Sequence, residues 1–281
     1  MTLESIPTQT LISAAAFAGI SIAFMFVGKL ISDFLTPYND DDEVREKGNV
    51  AVALRTTGLY VGLIIGMAGA LAGASAGLAE DVKELAIDGF IVIGTLLVAK
   101  AILQFVTLRG IRPAAAAKDG NVAVGIVECS AYIGTGLILN GAFTDVGGTI
   151  GGAIVYAFIG QVALALCFKI YEWMTPFKVS EELAKDNRAA AIAVSVRLIA
   201  MGLVLNQAIA GPMADWATDL TLFGVYFVFG MLLLSVANWL ADLLFLPKLR
   251  VGEAVTSGNV AAIVKVAGVQ LAAAIIVAAV I

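Results

Sequence analysis

Gly48-Asn49-Val50-Ala51-Val52-Ala53 opens an apolar run long enough to cross a bilayer, and closely similar phrases open three more. These are Gly120-Asn121-Val122-Ala123-Val124, Asp186-Asn187-Arg188-Ala189-Ala190-Ala191 and Gly258-Asn259-Val260-Ala261-Ala262. The asparagines stand 72, 66 and 72 residues apart (121−49, 187−121, 259−187). Each phrase follows a polar loop and another apolar run, so the repeated object is a hairpin of span, loop, span. Both Asn49 to Asn187 and Asn121 to Asn259 measure 138 residues, which implies that a four-span half was duplicated. The expected fold is therefore all-α and polytopic. Eight transmembrane helices form two parallel-repeat halves, residues 1–145 and 146–281, related by axes along the membrane normal.

The composition requires such a fold. Of 281 residues, 60% are hydrophobic and only 14% charged, against about a quarter charged in a soluble domain. The mean hydropathy is +0.96. Too little polar surface remains to cover a water-facing body, so the apolar surface faces lipid or other spans. Runs of spanning length lie near residues 10–36, 49–73, 86–108, 121–141, 149–175, 187–210, 218–246 and 258–281. The first is too long for the core of a cleavable signal peptide and has no basic segment before it. Gly58-x-x-x-Gly62-x-x-x-Gly66 places small residues on one helix face, where helices in lipid approach closely.

Cations set the expected orientation. The four loops that carry the asparagines hold Arg45, Lys47, Arg109, Arg112, Lys118, Lys178, Lys185, Arg188, Lys248 and Arg250, whereas the opposite loops hold only Lys83. By the positive-inside rule the asparagine loops are cytoplasmic and both termini external.

Several chemistries are excluded or disfavoured. There is no histidine, which removes His-based acid–base work and His-ligated metal. Cys129 and Cys167 lie in apolar runs and read as small buried hydrophobes. No metal-ligand cluster or nucleophile–base pair is visible, no cofactor is called for, and no basic surface offers itself to nucleic acid. Gly147-Gly148-Thr149-Ile150-Gly151-Gly152 lacks the Lys-Ser/Thr of a phosphate loop and reads as a helix-packing segment. We expect a protein that is not an enzyme.

The candidate functional residues are polar groups inside spans. Each even-numbered span carries one ionisable residue: Arg55, Glu128, Arg197 and Lys265. At about 1.5 Å per residue, three lie about 10 Å past the span start and Arg197 about 15 Å. A charge so deep must face protein or water, or snorkel; structural ion pairing and a functional cavity both remain open for these four. The equivalent depths of Arg55 and Glu128 predict that the two meet, or failing that, that Glu128 meets Lys265. Asp33, Glu172 and Asp242 are the acidic candidates of the odd-numbered spans, whereas Lys29, Lys100 and Lys169 are read as snorkelling. For Asn49, Asn121, Asn187 and Asn259 helix capping is favoured over a ring of side chains lining a vestibule. Ser180-Glu181-Glu182-Leu183 reads as a short capped helix in its loop.

Thr36-Pro37-Tyr38, then Glu43, then Lys47-Gly48-Asn49-Val50-Ala51-Val52-Ala53-Leu54 before a glycine-rich span resembles the family filed as domain of unknown function 350. The resemblance recurs at Thr175-Pro176 with Asn187, and in the second and fourth units through Gly-Asn-Val-Ala without Thr-Pro. It implies a bacterial inner-membrane protein of two-span units with no assigned activity, some members acting beside membrane-stress proteins of the cytoplasm. Two functions follow as expectations. One is a transporter or channel-like protein for a small ion or solute, motivated by duplication and buried charge. The other is a non-catalytic scaffold in the lipid bilayer or a partner of a membrane-stress protein.

The orientation is directly testable. Lys47→Cys should react with a membrane-impermeant thiol reagent only after cells are opened; labelling of intact cells would reverse the assignment.

Overall fold

The computed structural model describes residues 8–72, 75, 77–144, 150–210, 215–246 and 249–280. Eight long helices are apolar enough to cross a membrane: α1 (Thr8–Leu35), α3 (Val50–Ala70), α4 (Leu78–Ile102), α6 (Val122–Phe143), α7 (Ile150–Met174), α9 (Arg188–Ile209), α10 (Trp216–Leu240) and α12 (Val260–Ala278). Four short helices lie in the loops before the asparagines: α2 (Asp40–Arg45), α5 (Pro113–Lys118), α8 (Val179–Ala184) and α11 (Val251–Thr256). No strand occurs among the described residues. The protein is a polytopic helical membrane protein.

The boundaries have local causes. Asn49, Asn121, Asn187 and Asn259 are the N-caps of α3, α6, α9 and α12, each side-chain oxygen accepting a backbone N–H of the first turn. The residue before each cap has positive φ: Gly48 at 61°, Gly120 at 84°, Asp186 at 58° and Gly258 at 69°. Asp186 bears this left-handed backbone with a side chain because its Oδ1 accepts the Ala123 N–H at 2.7 Å, binding the start of the neighbouring α6. The first and fifth spans stop at Thr-Pro, where Thr36 Oγ1 lies 2.9 Å from Ser32 O and Thr175 Oγ1 lies 2.9 Å from Phe177 O. The third and seventh spans instead close in π-helical turns, Leu103–Thr107 and Ala241–Phe245.

Two boundaries differ from the sequence expectation. The third span begins at Leu78 rather than 86, because Glu80 and Asp81 in the first turn favour the positive helix end and carry the helix beyond the apolar run. In α8, Lys178 rather than Ser180 occupies the N-cap, without a side-chain cap bond; Ser180 lies in the first turn. The stretch 147–149 lies outside the described residues. At Gly152 an added Cβ would meet nothing within 4 Å, so close packing is not its role.

The long helices form two layers. Helices α3, α6, α9 and α12 pack in that order as an inner row. Helices α1, α4, α7 and α10 flank the row, presenting Phe34, Phe105 and Trp173 outward as a lipid-facing surface would. Neighbours in the inner row run parallel, since start meets start and end meets end: Gly125 approaches Ala51, Gly136 approaches Gly62, and Asn140 Nδ2 donates to Ile65 O at 2.9 Å. Asn206 Nδ2 donates in the same sense to Leu137 O at 2.7 Å. Such interhelical bonds contribute about 0.6 kcal/mol each in lipid, so close backbone approach does most of the fastening.

That approach predicts a sharp size limit. A Cβ at Gly136 would stand 2.2 Å from Gly62 O, a backbone atom that cannot move aside. Gly136→Ala should destabilise by about 1–3 kcal/mol, read as a lower melting temperature in detergent, while Gly152→Ala melts like the parent. Equal melting of both variants would mean that α3 and α6 do not approach so closely.

Candidate functional site

Among the described residues the buried charged side chains are Asp40, Glu43, Arg55 and Glu128 in the first half and Arg197, with its surroundings, in the second. In the first, Arg55 on α3 is 1% exposed. It donates to Tyr38 Oη and, at 3.0 Å, to Ser32 Oγ, and its Nη2 lies 3.6 Å from Asp40 Oδ2. Glu128 on α6, also 1% exposed, faces the same group without reaching ion-pair distance. Asp40 is the carboxylate in contact, whereas Glu128 faces the guanidinium from α6 while fully shielded from water. Lys100 points its Nζ inward toward these charges, so the snorkelling assigned to it from sequence is corrected. Lys100 Nζ, Glu128 Oε2 and both Asp40 carboxylate oxygens are buried without a protein hydrogen bond.

Two groups of this cluster lie in the loop before α3. Burial pushes the Tyr38 phenol up to about 12 against the opposing pull of Arg55. Burial likewise raises the Asp40 carboxyl, again opposed by Arg55. With Arg55 and Lys100 set against Asp40 and Glu128, the cluster is formally neutral when all four are ionised.

Lys265 does not join it. It is exposed on the outer face of α12, which removes it as a partner of Glu128. Helical spacing gave its depth but not the direction it faces.

The second group surrounds a cavity of about 510 Å³ at the asparagine-loop side, between α7, α9, α10 and α11. Its wall includes Tyr171, Arg197, Ser235, Asn238, Asp242 and Arg250. Arg197 is 7% exposed. Its guanidinium carbon lies 3.9 Å from the Tyr171 ring centroid and Nη1 donates to Ala193 O at 3.2 Å, with no carboxylate of the described residues in ion-pair contact. A desolvated cation over an aromatic face gains about 2 kcal/mol, which neutralises no charge. Asn238 accepts from Gln270 Nε2 at 3.1 Å. Asn238 and Lys100 both stand 21 residues before their asparagines, so the second half carries a neutral amide where the first carries a charge.

The acidic candidates of the odd-numbered spans fasten loops. Glu172 Oε1 accepts from Ser180 N at 3.1 Å and Ser180 Oγ at 2.6 Å, and Glu172 Oε2 pairs with Lys169 at 3.0 Å. Asp242 Oδ1 accepts the Val251 N–H, which holds the start of α11. Asp33 pairs with Lys29 at 3.1 Å, and Lys29 also reaches Asp41 at 2.7 Å.

The asparagines do more than cap. Asn49 Nδ2 donates to Ala117 O at 2.9 Å and Lys118 O at 3.0 Å. Asn121 Nδ2 donates to Leu183 O at 2.8 Å, and Asn187 Nδ2 to Val255 O at 2.8 Å. Each therefore holds the end of the next unit's short helix. Glu182 Oε2 braces Asn187 at 2.8 Å, and that bond with the one from Lys185 holds the Glu182 carboxyl below the usual carboxylate range. Among the described residues no group of three or more Cys, Asp or Glu side chains could hold a metal ion.

The family described as Domain of Unknown Function (DUF350) matches residues 5–143 and again 145–281. The chain belongs to that family. The two consecutive DUF350 matches agree with a repeated organisation and meet where the 138-residue offset divides the chain. No curated protein and no solved structure matches the chain. Membership thus supports the architecture and carries no activity with it.

The first cluster should behave as a coupled unit. Arg55→Met alone should cost about 3–5 kcal/mol, because Asp40 and Glu128 remain buried without their cation. Combining it with Glu128→Gln or Asp40→Asn should recover part of that loss in thermal unfolding. Strictly additive losses in both double variants would mean that the guanidinium engages neither carboxylate.

Proposed function

We propose that this DUF350 protein is a transporter for a small anionic solute or anionic amphiphile, which it takes up in the cavity beside Arg197. One observation carries the reading: Arg197, buried at the wall of a cavity of about 510 Å³, has no ion-pair partner among the described residues, the wall's Asp242 and Glu253 accepting instead from backbone N–H groups at the start of α11. Arginine cannot shed its proton to escape burial, so an anion entering the cavity supplies the missing counter-charge. The volume falls within the range of small-molecule sites, and the wall mixes apolar and polar side chains as such sites do. On this reading the protein lies in a prokaryotic inner membrane, and the cation asymmetry of the loops supports a cytoplasmic position for this cavity. The protein acts without a catalytic step or cofactor.

The test is flux in liposomes holding the purified protein, across a panel of inorganic anions, organic anions and cations. An anion should cross with the parent chain, and Arg197→Gln should reduce its flux at least about tenfold, the loss of one charge-assisted bond. Absence of anion flux, or anion flux indifferent to Arg197, overturns the proposal.

The tightness of the inner row favours a second reading, a non-catalytic scaffold or membrane-stress partner. Gly58, Gly62 and Gly69 meet the backbone of α6, and Gly141 meets that of α9, leaving no room for a path between these helices. On this reading the buried charges are structural, and the panel shows no flux of any solute.

A further inference from the structure

The joint between consecutive units occurs three times within the chain and leaves two faces over. On its trailing side each unit offers its asparagine and the residues 9 and 13 positions beyond it. In the first three units the latter two positions are buried, Gly58 and Gly62, Ser130 and Gly134, Val196 and Ala200, while Asn49 is buried and Asn121 and Asn187 are half-buried. In the fourth unit Asn259, Gly268 and Ala272 are all exposed. Ala261, Lys265 and Ala279 are exposed on the same face of α12. Asn259 caps α12 through Ala262 N at 3.0 Å, but among the described residues its amide donates to no carbonyl, unlike its three counterparts.

The leading side shows the complementary vacancy. The carbonyl that receives the clamp always also accepts the N–H of the residue before the next asparagine: Ala117 from Gly120, Leu183 from Asp186 and Val255 from Gly258. In the first unit that residue is Val44, which accepts from Gly48 at 3.1 Å and receives no side-chain amide from the described residues. Ala117, Leu183 and Val255 are 0% exposed, whereas Val44 is 40% exposed. Thr57, Val61 and Ala68 are exposed along the leading face of α3, and at the position of Ala68 the third unit carries Asn206, which is 7% exposed and bonded to α6. Helices α3 and α12 of one chain do not pack together, so the row is open at both ends.

We propose that copies of this chain join head to tail, with α12 and Asn259 of one copy docking on α3 and the Val44 carbonyl of the next. The occupant is a second copy because the chain already makes this joint with itself three times. The contact is heterologous, so it builds rings or rows rather than a two-fold dimer. It also covers Lys265, whose counterpart Arg55 is buried at the first joint. The joint resembles that between α9 and α12, in which Val196 and Ala200 rather than glycines occupy the two trailing positions.

Cysteine cross-linking in membranes tests this. At the first joint Gly125, four past its asparagine, approaches Ala51, two past its own; the matching pair between copies is Ala53 and Ala261. In a background carrying Cys129→Ala and Cys167→Ala, Ala53→Cys and Ala261→Cys should each remain monomeric when expressed alone. Co-expressed, they should give a disulfide-linked dimer, and a chain carrying both should give a ladder of higher oligomers. Gly268→Trp should abolish the ladder while leaving thermal unfolding of the monomer unchanged, because nothing lies within 4 Å of that position. A folded protein without a mixed dimer, cross-linking of either single variant with itself, or a ladder indifferent to Gly268→Trp each overturns the proposal.

Discussion

A helix that starts inside or against a bilayer has N–H groups which water cannot readily reach, and a loop that lies against it has carbonyls in the same position. In this protein one asparagine side chain serves both. Its oxygen accepts from the first turn of its own helix while its amide donates to the end of the next unit's short helix. The rest of the architecture follows from this double bond. It fixes the height of each inner helix against its neighbour, and a fixed height lets glycine meet backbone in register along the whole span. The left-handed residue before each asparagine is the bend that brings the short helix back into reach.

The two family-matched segments differ in their polar interiors. The first half fills its joint with Arg55, Asp40, Lys100 and Glu128, two charges of each sign with little access to water. The second half has Asn238 at the counterpart of Lys100 and Gln270 at the counterpart of Tyr132, and opens a cavity with Arg197 in its wall. The first cluster sums to zero with its charges close together; Arg197 shares its cavity wall with Asp242, Arg250 and Glu253 and forms an ion pair with neither acid. The scaffold and transport readings thus draw on different halves of one molecule.

Glu172 and Asp242 show why buried acids need care in sequence reading. Both lie near the ends of odd-numbered spans, where an ionisable group marks a functional site by default. Each instead holds the first turn of the short helix that follows, at Ser180 and at Val251. Asp40 and Tyr38 were passed over because they sit in a polar loop, yet they line the Arg55 side chain. A loop residue's participation in a buried cluster has no periodic signal.

Sequence alone determined the eight spans, the hairpin repeat and the four caps, because each depends on local chemistry: twenty or so apolar residues cross a bilayer, and asparagine after a left-handed residue starts a helix. It also gave the depth of Arg55 and Glu128, because rise per residue is constant. Only the tertiary structure decided where those side chains face. Lys100 turns inward and Lys265 outward, although both lie in apolar helices at comparable depth, because facing depends on how each helix is rotated against its neighbours. The second bond made by Asn49, Asn121 and Asn187 was equally hidden. Its acceptor is a backbone carbonyl 62 to 69 residues away, and every residue has such a carbonyl, so no residue type could mark it.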